Sequence, residues 1–166
     1  MKYSISGPVL VTGGAGFIGS HIVDRLVNDG IETVALDNLS TGMISNLANN
    51  EGKKKFSFIK EDMCNSKGVR NTLKGIKTVF HMAADPEVRT GFENPESTYR
   101  ENLKNTFYLL EEIRKHDETV PFLYTTGHYE SEDLLRAIKL GVTEFFVKPL
   151  DAKEIISYIQ KFYYQH

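Results

Sequence analysis

Residues 8–19 read Pro8-Val-Leu-Val-Thr12-Gly13-Gly14-Ala15-Gly16-Phe17-Ile18-Gly19, a short apolar run that breaks into glycines and resumes as a helical pattern. Pro8 to Thr12 has the continuous apolar character of a strand covered on both faces. From Phe17 to Asn28, Ile18, Ile22, Leu26 and Val27 recur at helical spacing, and Gly30 closes the stretch. The glycines match G-x-G-x-x-G from Gly14 and G-x-x-G-x-x-G from Gly13. Such a turn needs backbone angles that side chains resist, and it lets a phosphate approach the amides at the start of the helix.

The same alternation of periods continues outward. Strands are expected at Thr33 to Leu36, Phe56 to Ile59 and Thr78 to Met82, with a short helix around Val69 to Leu73. A long helix is expected from Pro95 to Lys115. Beyond it come a strand at Pro121 to Thr125, a helix at Ser131 to Leu140, a strand at Glu144 to Val147 and a helix at Ala152 to Phe162. Ser131 is placed to cap its helix and Gly141 to end it. Six strands, nearly all followed by helices, predict one α/β domain over residues 1–166. The expected architecture is a three-layer, doubly wound parallel sheet of the Rossmann and flavodoxin-like kind, in strand order 3-2-1-4-5-6.

Composition narrows the function classes. The 166 residues are 40% hydrophobic and 25% charged, as in ordinary globular chains, and no apolar run is long enough to span a bilayer. A net charge of -2 gives no general pull toward nucleic acid. The basic cluster Lys53 to Lys55 reads as a solvated loop. The N-terminal residues lack the pattern of a secretion signal, so a cytoplasmic location is expected, with no membrane partner; the oligomeric state is left open, with a monomer favoured. Cys64, the one cysteine, can form no intrachain disulfide and has no evident base beside it, which favours a structural role. No metal-ligand set is assigned.

The second strand runs into Asp37, roughly 20 residues past the glycines, where a carboxylate can accept hydrogen bonds from the ribose hydroxyls of a dinucleotide. Its charge would repel a 2'-phosphate, and no arginine stands in Asn38-Leu39-Ser40-Thr41-Gly42 to offset it, so NAD is favoured over NADP. His81, inside an apolar strand, reads as a packed core residue.

These residues resemble the extended short-chain dehydrogenase/reductases that act as nucleotide-sugar epimerases and dehydratases. The likeness rests on VTGGAGFIGSHIVDRL, LDNLSTG, KEDMCN, FHMAADPEV and the helix bearing Tyr99-Arg-Glu-Asn102, from about Val9 to Lys115. It implies that Asp62 and Met63 hold the adenine, that Ala83 and Ala84 pass beneath the pyrophosphate and ribose, and that Asn102 buttresses the site. The candidate cofactor set is therefore Gly13, Gly16, Phe17, Ile18, Gly19, Asp37, Asn38, Ser40, Gly42, Asp62, Met63, Ala83, Ala84 and Asn102, and the expected partner is NAD or a related adenine nucleotide.

That family also uses a Tyr-x-x-x-Lys pair, because proton transfer needs a tyrosine made acidic by a nearby lysine. Here Tyr124 is followed four residues on by His128, Tyr129 by Asp133 and Tyr158 by Phe162. Residues 117–166 instead resemble the closing part of a response-regulator receiver, with Thr126, Phe145 and Lys148-Pro149 at its switch and phosphate positions, but without the acidic acceptor site. The expectation is a chimeric domain, engineered, joined near His116 to Val120, with dinucleotide binding and no catalysis. The alternatives are an NAD-dependent epimerase or dehydratase, and a phosphorelay receiver.

Overall fold

The structure is a computed structural model, and it describes residues 5, 7–85, 88–126 and 132–164. Pro86, Glu87, His128, Tyr129 and Ser131, singled out above, lie outside the described residues. The chain resolves into two compact units, residues 1–109 and 110–166.

The first unit is built on four parallel strands, β1 (Val9–Thr12), β2 (Thr33–Asp37), β3 (Phe56–Lys60) and β4 (Thr78–His81), in the order β3-β2-β1-β4. Val9 faces both Thr33 and Thr78, and Thr12 faces both Leu36 and His81, so the carboxyl ends of the strands lie level at one edge. β1 is central, and all four of its residues are buried. A strand covered on both faces cannot alternate polar and apolar, which is why VLVT reads as one continuous run. Helix α1 (Phe17–Asn28) lays Val23, Leu26 and Val27 on this core with Ala15, Ala35 and Leu47. Each such buried aliphatic stabilises the fold by about 1.5–3 kcal/mol relative to exposure.

Several features escaped the sequence reading. A 3₁₀ helix spans Ile44–Asn50, and α3 (Val88–Glu93) precedes α4 (Pro95–Tyr99). α2 (Ser66–Thr72) is capped by the Asn65 side chain, which accepts from the Gly68 amide at 3.4 Å. The expected long helix is present but not uniform. Between α4 and α5 (Asn105–His116) the residues Arg100–Lys104 form a π-helical turn, in which the Asn105 amide reaches back to the Arg100 carbonyl.

In the second unit, β5 (Leu123–Thr126) pairs in parallel with β6 (Glu144–Val147), Tyr124 opposite Phe145. α6 (Glu132–Lys139) connects them and α7 (Ala152–Tyr164) follows. The ring of Phe146 meets Tyr158 edge-on at 5.9 Å, and the Arg114 guanidinium donates to the Gly141 carbonyl at 2.7 Å.

The six-stranded order is thus corrected in part. The order 3-2-1-4 holds in the first unit, and β5 and β6 form the two-stranded ladder of the second. Periodicity marks a strand but carries no information on which edge it joins. Among the described residues, no helix is long and apolar enough to cross a membrane.

Candidate functional site

The level carboxyl ends of the four strands bring together Gly13, Asp37, Asp62 and Ala83, the edge where ligands of open parallel sheets sit. The chain leaves β1 at Gly13 with φ +64°, a conformation that disfavours any residue with a Cβ. The turn is closed by the Gly16 amide donating to the Gly13 carbonyl at 3.0 Å, and α1 begins with the Ser20 amide on the Gly16 carbonyl, also 3.0 Å. Space as well as φ demands glycine here. A Cβ on Gly13 would lie 2.6 Å from the Ala83 nitrogen, and one on Gly19 would be driven into the Gly13 carbonyl. Gly16 is the N-cap of α1 and makes no side-chain cap, and the first turn holds no acidic residue. Phe17 and Ile18, at that helix start, are strongly exposed.

Asp37 is buried and clamps the turn. One carboxylate oxygen accepts from the Ala15 amide at 3.0 Å and the other from the Leu39 amide at 2.8 Å. Each oxygen has a further lone pair, so the clamp does not exhaust its accepting capacity. The segment beyond it folds back on the same turn. The Met43 amide and the Asn46 side chain both donate to the Ala15 carbonyl, at 3.0 and 2.8 Å. Gly42 lies so close that a Cβ there would stand 2.9 Å from both Asp37 carboxylate oxygens. Leu39 adopts φ +61°, a strained choice for a residue with a side chain, and its amide bond to Asp37 accompanies it.

At the end of β3, Asp62 accepts from the Cys64 amide at 2.8 Å and from the Asn38 side chain at 3.2 Å. The Cys64 amide, foremost, holds the Asp62 carboxyl below the usual range against opposing desolvation. Asn38 in turn accepts from the Ser40 amide at 2.9 Å, tying the ends of β2 and β3 together. Met63 is buried beside them. The Cys64 thiol donates to the Asn105 side-chain oxygen at 3.3 Å, and desolvation, then the charge of Asp62, push its pKa up, away from thiolate chemistry.

On the far side of the turn, Ala83 follows β4, with Ala84 exposed after it. Asn102, in the π-helical turn, grips the next residue twice. Its oxygen accepts from the Asp85 amide at 2.6 Å, and its amide donates to the Asp85 carbonyl at 3.0 Å. Asn102→Ala is expected to cost about 2 kcal/mol, since two hydrogen bonds to the Asp85 backbone are lost. Urea unfolding with hydrogen exchange at the Asp85 amide would measure this, and unchanged exchange would exclude the buttress.

Every residue of the candidate set therefore gathers around the strand ends or the segments pinned to them. The sequence reading missed Thr12, Asn46 and Thr106, and His81, read as a packed core residue, has both ring nitrogens hydrogen-bonded. Thr12 ends β1 beside the glycines, and its hydroxyl bonds the His81 ring at 2.6 Å, while His81 meets Thr106 at 3.0 Å on its other nitrogen. Only the threonine at a strand end carried any signal in the sequence.

Comparison with known proteins fits this geometry. A profile of the GDP-mannose 4,6 dehydratase family matches residues 10–127, which takes in the turn, Asp37, Asp62, the β4 loop, Asn102 and β5. The chain belongs to the GDP-mannose 4,6 dehydratase family. Similar proteins include a putative UDP-glucose 4-epimerase of Methanocaldococcus jannaschii, 39% identical over 110 residues, covering 66% of this chain and 34% of that protein. A UDP-glucose 4-epimerase of Mycolicibacterium smegmatis is 40% identical over 107 residues, 63% of this chain and 34% of that one. Among solved structures, the UDP-glucose 4-epimerase of Thermus thermophilus in complex with NAD superposes with a TM-score of 0.64 at 28% identity, over 84% of this chain and 54% of that one.

Membership in the dehydratase family corrects two expectations. The receiver resemblance of residues 117–166 finds no support in these matches, and the family profile continues to residue 127, past the seam expected near His116 to Val120. Phe145, read as a receiver switch aromatic, packs edge-on against Tyr124 at 6.0 Å. The non-catalytic, chimeric reading is overturned as well, because the relatives are epimerases and dehydratases. The chain spans about a third of the length of these curated relatives, so a Tyr-x-x-x-Lys pair missing from its residues says nothing about the activity.

Proposed function

We propose that this chain is the dinucleotide-binding part of an NAD-dependent nucleotide-sugar epimerase or dehydratase. The observation that carries the reading is the joint geometry of Gly13 and Asp37, a turn with no room for a Cβ whose Ala15 amide is held against a buried carboxylate. The residues fit the cofactor. Gly13, Gly16 and Gly19 leave the backbone bare where a pyrophosphate would lie against the start of α1, and Phe17 and Ile18 flank it. Asp37 would take the adenosine ribose hydroxyls, with Asn38, Ser40 and Gly42 shaping that wall. Asp62 and Met63 would border the adenine, and Ala83 and Ala84 would carry the pyrophosphate and second ribose, braced by Asn102.

When bound, NAD would supply an acceptor for the hydride on a sugar carbon that bears a hydroxyl, the hydroxyl losing a proton as that carbon becomes a carbonyl. The residues here bind and orient it: the carboxylate of Asp37 selects a free 2'-hydroxyl, and the loop braced by Asn102 sets the far half of the dinucleotide. Relatives support the choice, since the Thermus thermophilus epimerase is complexed with NAD, and a dTDP-glucose 4,6-dehydratase of Streptomyces venezuelae, 27% identical with a TM-score of 0.65, holds NAD and TYD. Calorimetric titration is expected to show NAD binding and NADP at least tenfold weaker, as loss of one charge-assisted bond alone costs about 1.5–3 kcal/mol. Absence of NAD binding at millimolar cofactor would remove the reading.

A further inference from the structure

Three side chains that the dinucleotide reading does not use, Thr12, His81 and Thr106, lie in one continuous hydrogen-bonded chain between Ala83 and Asn102. The Ala83 amide donates to the Thr12 hydroxyl at 3.4 Å, that hydroxyl lies 2.6 Å from His81 Nδ1, His81 Nε2 lies 3.0 Å from the Thr106 hydroxyl, and the Thr106 hydroxyl donates to the Asn102 carbonyl at 3.0 Å.

The proton positions follow from counting. A carbonyl can only accept, so the single hydroxyl proton of Thr106 goes to Asn102. Thr106 must then accept from His81, which places the imidazole proton on Nε2. Nδ1 is left bare and accepts from Thr12, whose oxygen accepts in turn from Ala83. Every proton in the chain points the same way, from the end of β4 to the π-helical turn. Asn102 receives the last of them on its carbonyl while its side chain holds both backbone groups of Asp85. The segment 82–85 is thus fixed at its first residues through Thr12 and at its last through Asn102, and His81 couples the two.

We propose that His81, with Thr12 and Thr106, is a positioning set that holds residues 82–85 in the conformation on which the pyrophosphate and second ribose rest. This rests on the dinucleotide reading above. It differs from a packed core histidine in one respect: the ring works only in one tautomer and only neutral. Desolvation pushes the His81 pKa from 6.5 down to about 4, which keeps it so through the physiological range.

Thr106→Val tests the set on the 166-residue chain without touching the strand ends, because it removes the acceptor of His81 while keeping the shape of the side chain. Loss of one such bond is expected to weaken NAD binding roughly five- to tenfold. AMP, which lacks the second ribose, should bind as before, and Thr106→Ser should restore NAD affinity. Nitrogen-15 spectra of the histidine rings supply an independent readout. The expected parent signature is a proton on Nε2 of His81 that does not titrate between pH 8 and pH 5, lost in Thr106→Val along with slow exchange at the Ala83 and Asp85 amides.

A proton on Nδ1, or titration near pH 6.5, would overturn the relay, as would equal losses of NAD and AMP affinity. If Thr106→Val fails to fold, His81→Gln, which keeps a donor and an acceptor, decides through the same amide exchange. If the parent binds no NAD, the dinucleotide reading fails, while the tautomer and exchange data decide the relay separately.

Discussion

Gly13→Ala is expected to lower folding stability by about 3 kcal/mol and to eliminate NAD binding at concentrations that saturate the parent. Two costs add. At φ +64° an L side chain carries about 1–2 kcal/mol of strain. The new Cβ would also meet the Ala83 nitrogen at 2.6 Å, the Met82 carbonyl carbon at 2.7 Å and the Ala83 Cα at 2.8 Å, all backbone atoms that no rotamer change can move aside. Relief requires β4 to separate from β1 at Ala83, the residue proposed to lie beneath the cofactor. Gly52 provides the internal control, because it shares the positive φ at +74° and a Cβ there meets nothing within 4 Å. Gly52→Ala should therefore show the strain alone, about 1 kcal/mol. Urea unfolding of both variants measures the difference. Equal losses would mean that β4 does not approach the turn this closely.

Asp37→Ala is expected to remove about 3 kcal/mol of stability and at least a hundredfold of NAD affinity. The stability loss comes from the Ala15 and Leu39 amides, which donate to its two oxygens and would be left unpartnered, the first in a fully buried residue. The affinity loss follows from the proposed role of Asp37, whose carboxylate would form charge-assisted bonds to the ribose hydroxyls. Asp37→Asn separates the two roles, since it keeps one accepting oxygen and loses the charge. It should retain more of the stability than Asp37→Ala and lose most of the preference for NAD over NADP, because the repulsion of a 2'-phosphate goes with the charge. Titration of both cofactors against both variants is the measurement. NAD affinity unchanged in Asp37→Ala would confine this residue to clamping the turn and reject its contact with ribose.

Much of this arrangement is legible in the chain itself. The apolar run before Gly13, the helical stripe after it and the acid ending the next apolar run mark a strand, a turn, a helix and a second strand, since burial on both faces and periodicity are local properties of sequence. Spacing alone marks Asp37 as a candidate, and the structure adds that its oxygens accept from the Ala15 and Leu39 amides. The hydrogen-bond partners of His81 escape a reading by sequence for an equally physical reason. A histidine in an apolar strand looks the same whether its ring nitrogens meet water, carbonyls or two threonines 69 and 25 residues away. The non-catalytic reading fails because one residue pair absent from this chain carries no information about proteins of which the matched region is only about a third.

The sequence by itself determined the local alternation of strand and helix, the bare backbone at Gly13 to Gly19 and the carboxylate at Asp37, because steric demand and hydrophobic period act between near neighbours. Tertiary structure alone decided that β5 pairs with β6 in a ladder of their own, that the segment 37–46 folds back onto the turn, and that Thr12, His81 and Thr106 meet. Strand pairing and hydrogen bonds between distant residues depend on where whole elements come to lie, and that position is settled by the packing of the core rather than by any one stretch of chain.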